Sequence, residues 1–293
     1  MGAPERVVPG GVTDLTPASD GLAFKAREIE EFVDVYFFRR LGILFAHAAR
    51  LAGLSPTAVT WVALVAGGAG GLALASSRYG WLGVALLVMH GVLDSADGQL
   101  ARMTGQSSEF GRLMDGVAGY VTHVAMYLGI LASAFSRGFG WSLVAVAVVA
   151  GLSTIIHAQL YDYHRTTYLA IAIKGQPSLS AADQHRSGIV RGYESMQRVL
   201  SGLHHEVERV IAARAHAQRV ALEDRERYRA CFYRPVRGWN LMGDNVRRLS
   251  IAIAVWARRP EWFIYAELVP VNATFAVLWL WQRRADSRFL AAE

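Results

Sequence analysis

Three carboxylates lie within or beside long apolar runs, where an uncompensated charge is costly. Asp94 and Asp97 are three residues apart, so on a helix they project from one face. Asp115 follows a short polar break, with Gly111 and Gly119 four residues to either side of it. Two helices that bring carboxylates to facing surfaces with small residues predict a divalent-metal site with room for a ligand. Hard oxygen ligands of this kind suit Mg²⁺ or Mn²⁺ rather than zinc.

The composition is that of a membrane protein rather than a soluble enzyme. The chain has 293 residues, of which 53% are hydrophobic, and its mean hydropathy is +0.24. A net charge of +6 without a nucleic-acid motif predicts contact with an anionic membrane surface and no nucleic-acid partner. Cys231 is the single cysteine, which excludes an intrachain disulfide.

The apolar runs predict an all-α, polytopic membrane protein with about six transmembrane helices. The Ser55-Pro56 pair is typical of a helix start. The apolar stretch at 249–257 is too short to cross a bilayer by itself, so the fifth span is extended back to Trp239. The predicted spans are 57–75, 81–102, 109–135, 141–160, 239–257 and 262–282.

Polar segments flank these spans and divide the chain. Residues 174–237 hold about a dozen Lys and Arg and predict a helical cytoplasmic insertion between spans four and five, with one amphipathic helix over 196–228. An amphipathic helix over 27–51, with Glu30 and Glu31 on its polar side, is expected in the membrane interface. The domain division is a flexible N-terminus at 1–26, a membrane domain at 27–285 and a tail at 286–293.

The distribution of arginines predicts the orientation. An even number of spans places both termini on one side of the membrane, together with Arg102, Arg112 and the insertion. The positive-inside rule makes that side cytoplasmic. We therefore expect an integral protein of the cytoplasmic membrane, with both termini and the carboxylate site facing the cytoplasm.

The carboxylate stretch resembles the signature of the CDP-alcohol phosphotransferase (CDP-alcohol phosphatidyltransferase) family. Residues 55–60, read as S-P-T-A-V-T, are similar to the start of that family's first helix. The resemblance covers roughly residues 30–285, although only 55–119 match specifically, and it implies six spans, a site between spans two and three, and a homodimer. The matching pattern is Asp94-x-x-Asp97-Gly98-x-x-Ala101-Arg102, eight residues, then Gly111-x-x-x-Asp115.

The resemblance also implies a role for each matching position. Asp94, Asp97 and Asp115 would hold divalent metals that bridge the pyrophosphate of a CDP-linked lipid. An acceptor alcohol would attack the phosphorus on the lipid side and CMP would leave, as a step in phospholipid biosynthesis. The residues implied to contact the CDP-lipid are Thr57, Thr60, Gly98, Ala101, Arg102, Ser108 and Gly111.

The chain departs from the family pattern at Gly119. A fourth aspartate there would hold a second metal and deprotonate the acceptor. His123, one helical turn further on, is a candidate base in its place. The alternatives are a site with fewer metal contacts and a base from elsewhere, or a catalytically impaired relative that binds CDP-lipid or metal as a membrane scaffold or regulator. Because the other motif positions are intact, we expect catalysis to be retained.

Polar residues on spans four and five are candidates for the acceptor pocket. Their alternative role is snorkelling or hydrogen bonding between helices. Two adjacent arginines among them would suit a phosphorylated or anionic acceptor. The candidates are His157, Gln159, Asp162, Arg165, Asp244, Asn245, Arg247 and Arg248.

Overall fold

The computed structural model describes residues 28–106, 108–178 and 201–292, and this part of the chain is helical without a β-strand. The predicted flexible N-terminus and residues 179–200 of the insertion lie outside the described residues. The helices are α1 Arg39–Leu51, α2 Pro56–Ala73, α3 Gly80–Thr104, α4 Glu109–Phe135, α5 Ser142–Tyr168, α6 Leu203–Arg214, α7 Leu222–Trp239, α8 Asp244–Trp256, α9 Trp262–Ala266 and α10 Asn272–Ala291.

Within the part of the chain that the structure describes, four helical stretches are long and apolar enough to cross a bilayer. Apolar side chains such as Trp61, Val65 and Leu128 are exposed on these helices, as lipid-facing side chains would be. The structure thus supports an all-α membrane protein. The candidate spans are Pro56–Ala73, Leu113–Phe135, Ser142–Ile173 and Trp262–Ala291.

The second and fifth predicted spans, at 81–102 and 239–257, are not among these long apolar helices. The count of six spans is therefore not confirmed. Helix α3 is long enough, but its second half carries polar side chains. Helix α8 has 13 residues, about 20 Å of helix at 1.5 Å per residue, against a hydrocarbon core of about 30 Å. It cannot be extended back to Trp239, because the backbone at Gly243 is extended and separates α8 from α7.

Helix α2 lies between α3 and α4 and packs closely on both. Ser55 caps it by accepting a hydrogen bond from the amide of Ala58, as predicted. A Cβ on Gly70 would lie 3.0 Å from the carbonyl oxygen of Gly83 on α3, and one on Gly71 would overlap the backbone of α4. The glycines therefore allow α2 to hold both neighbours, which make few direct contacts with each other and leave a cleft between them.

The described part of the insertion contains two helices, α6 and α7, whereas the sequence predicts a single helix over residues 196–228. The chain turns between α6 and α7, where Ala217 and Gln218 have positive φ. Helix α6 docks through Glu208, which is buried and accepts hydrogen bonds from Tyr163 and Thr167 of α5. The insertion is thus joined to the membrane helices by a buried polar contact as well as by apolar packing.

The segment before α1 is also docked through carboxylates. Glu30 and Glu31, predicted on an exposed polar face, are buried. Glu30 forms an ion pair with Arg165 of α5 at 2.6 Å. Glu31 accepts hydrogen bonds from Asn245 of α8 at 2.6 Å and from Tyr161 of α5 at 3.1 Å. The segment therefore ties together the ends of α5 and α8.

Burial, together with the neighbouring Asp34 carboxylate, raises the pKa of Glu31 from 4.5 to about 7. In this window the folded protein binds more protons at Glu31 than the unfolded chain does, so stability falls as the pH rises from about 4.5 through 7. We expect Glu31→Gln to remove up to roughly 3 kcal/mol of this pH dependence. Thermal unfolding in detergent at pH 5 and pH 8 measures the difference.

The matched control is Glu206→Gln on α6, whose carboxylate is half exposed. This variant should keep the pH dependence of the native chain. The same slope in native and Glu31→Gln proteins would contradict the prediction.

Candidate active site

A cavity of about 130 Å³ lies at the end of the cleft where α2 and α4 begin. It is formed by the first turns of α2, the last turns of α3, the α3–α4 connection and the first turns of α4. Motif residues from three helices therefore meet at this cavity. The lining residues are Pro56, Thr57, Thr60, Asp97, Gly98, Ala101, Gln106, Ser108, Gly111 and Asp115.

Asp97 is one of the two carboxylates of this cavity. It is buried, and its Oδ2 accepts a hydrogen bond of 2.6 Å from the hydroxyl of Thr60, which is also buried. Hydrogen bonds to an ionised carboxylate are short and strong. The contact joins residues 37 positions apart and sets the direction of the Asp97 side chain from α2.

Small residues keep the cavity open. A Cβ on Gly98 would meet only the Arg102 guanidinium, at 3.6 Å, and one on Gly111 would approach the Ser108 hydroxyl at 3.0 Å. Ser108 itself caps α4 by accepting a hydrogen bond from the Gly111 amide. Arg102 lies beside the opening rather than in the lining. Side chains at the two glycines would reduce the space for a ligand.

The three predicted metal ligands divide between two cavities. Asp97 and Asp115 line the small cavity, whereas Asp94 lines a neighbouring polar cavity of about 420 Å³. Within the described ranges, no three Asp, Glu, His or Cys side chains lie close enough together to hold an ion. A three-carboxylate cluster is therefore not formed in this structure.

Two carboxylates with neighbouring hydroxyls nevertheless fit a hard divalent cation. Mg²⁺ in phosphate-handling sites is commonly held by one or two protein carboxylates together with substrate phosphate oxygens. Asp97 and Asp115 supply such a pair, and Thr60 and Ser108 add hydroxyl oxygens to the same lining. When bound, the cation would neutralise charge on phosphate oxygens.

The polar cavity gathers most of the predicted acceptor residues. It lies between α3, α4, α5 and α8 and includes the segment before α1. The predicted residues that line it are Gln159, Asp162, Arg165, Asp244, Asn245, Arg247 and Arg248. His157 is not among them, because it is buried against Phe275 and Asn272 of α10.

The arginines of this cavity are already paired with carboxylates. Arg247 is buried, and its Nε lies 3.5 Å from Glu267. Arg248 donates to Asn245 at 3.0 Å and lies 3.7 Å from Asp244. Arg165 is paired with Glu30. Buried guanidinium groups need such partners.

Sequence reasoning missed the acidic residues near these arginines that come from the segment before α1. Glu31 and Asp34 line the polar cavity, and Glu30 lies behind it on Arg165. Their signal in the sequence was a run of acids directly before an amphipathic helix. Arginines placed at membrane depth require anionic partners, and that requirement could have directed attention to this run.

An apolar groove of about 550 Å³ between α4 and α5 meets the polar cavity. Gly119 and His123 line the groove, and Asp244 and Arg247 line both spaces. A Cβ on Gly119 would meet no atom within 4 Å. Gly119 therefore faces free space in the apolar groove, close to where the groove meets the polar cavity.

Residues 53–174 match the family model described as CDP-alcohol phosphatidyltransferase. No curated protein and no solved structure matches the chain. The matched segment is less than half of the chain, but it contains α2 to α5 and every motif residue. The family transfers phosphate-linked groups in lipid synthesis and generally uses a divalent metal. Residues 53–174 thus match the CDP-alcohol phosphatidyltransferase family domain, which supports the resemblance seen in the sequence motif.

Proposed function

We propose that the protein transfers a phosphatidyl-type group from a CDP-linked lipid to an acceptor alcohol and releases CMP. The observation that carries the proposal is the gathering of the motif residues from α2, α3 and α4 around one small cavity. The cavity offers carboxylates for a cation, such as Mg²⁺ or Mn²⁺, and open space for a nucleotide. The polar cavity beside it is the space for the acceptor.

In this proposal the residues of the small cavity bind and orient the CDP-lipid. Asp97 and Asp115 would hold the cation, with Asp94 nearby at the edge of the acceptor space. Thr60 orients Asp97 through its hydrogen bond. Contacts to the CDP-lipid are assigned to Thr57, Thr60, Gly98, Ala101, Arg102, Ser108 and Gly111.

We further propose that α3 and α8 complete six membrane-embedded segments, with both termini and the site on the cytoplasmic side. The segment before α1, the end of α5 and the start of α8 meet around the polar cavity. The basic α6–α7 insertion packs on the same end of α5. A homodimer is proposed from the family resemblance. Chemical labelling of single cysteines placed in the insertion tests the orientation.

The proposed activity predicts CMP release from CDP-diacylglycerol, Mg²⁺ and a pool of acceptor alcohols by the purified full-length chain. We expect Asp97→Asn or Asp115→Asn to reduce the rate by at least about 100-fold, because the charge that holds the cation is removed. Asparagine at position 97 can still accept the hydrogen bond of Thr60, so the fold should be retained. Chromatography of released CMP measures the rate.

Glu206→Gln on the exposed side of α6 serves as the control and should leave the rate unchanged. No CMP from any acceptor, with cytidine nucleotide binding intact, would overturn the proposed activity. That outcome would support the alternative of a binding protein that acts as a scaffold or regulator.

The charge balance of the polar cavity predicts the acceptor class. Its lining carries five carboxylates, at residues 31, 34, 94, 162 and 244, and four arginines, at residues 39, 165, 247 and 248. Because the arginines are balanced in this way, we propose a neutral polyhydroxyl alcohol instead of the anionic acceptor that the sequence suggested. CMP release should be faster with glycerol or inositol than with their phosphates at equal concentration. Preference for a phosphorylated acceptor would contradict this prediction.

A further inference from the structure

Residues near Gly119 offer a replacement for the carboxylate that this position lacks. His123 lies one turn further along α4, and Asp244 is the first residue of α8. The Nε2 of His123 is 3.6 Å from Oδ1 of Asp244. Asp244 lies outside residues 53–174, so the family match gives it no role.

The hydrogen bonds of His123 define which ring nitrogen is available. Its Nδ1 lies 2.9 Å from the carbonyl oxygen of Gly119. A carbonyl oxygen only accepts, so Nδ1 carries a hydrogen and donates it. In the neutral ring the lone pair is then on Nε2. The carbonyl of Gly119 therefore leaves Nε2 of His123 as the nitrogen that can take a proton.

Asp244 is placed to stabilise the protonated ring. Once Nε2 gains a proton, the imidazolium faces a carboxylate, and the resulting ion pair is favourable. Arg248 at 3.7 Å and Arg247 at 3.8 Å hold Asp244 from the same helix, and His90 of α3 shares a small space with these residues. The third group that sets the orientation of the base is here the Gly119 carbonyl on Nδ1, whereas Asp244 supplies the compensating charge beside Nε2.

Asp244 lines the cavity proposed for the alcohol, and His123 lies beside it in the adjoining groove. Asp244 lines the polar cavity together with Asp94, and it lines the apolar groove together with His123 and Gly119. A hydroxyl in the polar cavity and a lipid in the groove would meet at this junction. The side chain of Asp244 is half exposed towards these two spaces.

On the basis of the proposed transferase function, we infer that His123 and Asp244 together replace the missing carboxylate as the proton acceptor. The acceptor oxygen forms a bond to the phosphorus that carries the lipid, and its proton passes to Nε2 of His123. The bond from that phosphorus to the oxygen of the CMP phosphate breaks, and CMP leaves with the electron pair. His123 is then the catalytic base, Asp244 is a positioning residue, and the proton is finally released to water.

The test measures CMP release and CDP-diacylglycerol binding by full-length variants. His123→Ala should reduce release by about 100-fold or more, while lipid binding stays unchanged. Added imidazole should restore part of the rate, because the cavity left by the ring can admit a small base. Asp244→Asn should reduce the rate about 10-fold and displace its pH dependence, since the imidazolium loses its partner, and Asp244→Glu should recover most of the rate.

A second variant makes the inference independent of folding defects. Gly119→Asp in the His123→Ala background should raise the rate again, because a side chain at position 119 enters open space. His47→Ala, on the exposed side of α1, is the matched control and should retain the native rate. Unchanged release in His123→Ala would overturn the pair while leaving the transferase function in place. An inactive native chain would overturn both.

Discussion

The packing of α2 between α3 and α4 is the constraint on which the site depends. Gly70 and Gly71 bring the backbone of α2 against both neighbours, so each neighbour is positioned by α2 rather than by the other. The cleft above α2 remains open for the same reason. Thr60, three turns before these glycines, then fixes Asp97 by a hydrogen bond. The direction of a carboxylate thus follows from small residues that never contact a ligand.

The residues of the small cavity could be predicted from the sequence because they lie within a few positions of helix ends. Ser55 and Ser108 both cap helices through their own hydroxyls, and Gly105 ends α3 with a positive φ. Local spacing of this kind is sufficient to define where the three helices begin and end. The same spacing does not define how each side chain is directed. Residues three apart on a helix differ by about 60° around its axis, which allows Asp94 and Asp97 to face different cavities.

Contacts between distant segments could not be predicted in this way. Glu30 and Arg165 are far apart in sequence, and the run of acids around Glu30 does not indicate which arginine it pairs with. The same holds for Arg247 and Glu267. A pair of adjacent arginines therefore suggested an anionic ligand, whereas the protein itself supplies much of the negative charge. Charge counted along a sequence is a weak guide to the charge of a buried cavity, because partners from other helices neutralise it.

The break at Gly243 changes how position 119 should be understood. If the chain continued as one long span from Trp239, Asp244 would lie in the middle of a helix. Instead it begins α8, next to His123, and Asn245 after it is held by Glu31 from the segment before α1. A proton acceptor built from His123 and Asp244 would then depend on three segments, two of them outside the family domain. The domain at residues 53–174 would bind the CDP-lipid, while the chemistry of the acceptor would require the remainder of the chain. In that arrangement His123 inside the domain would take the proton, and Asp244 outside it would stabilise the charged ring.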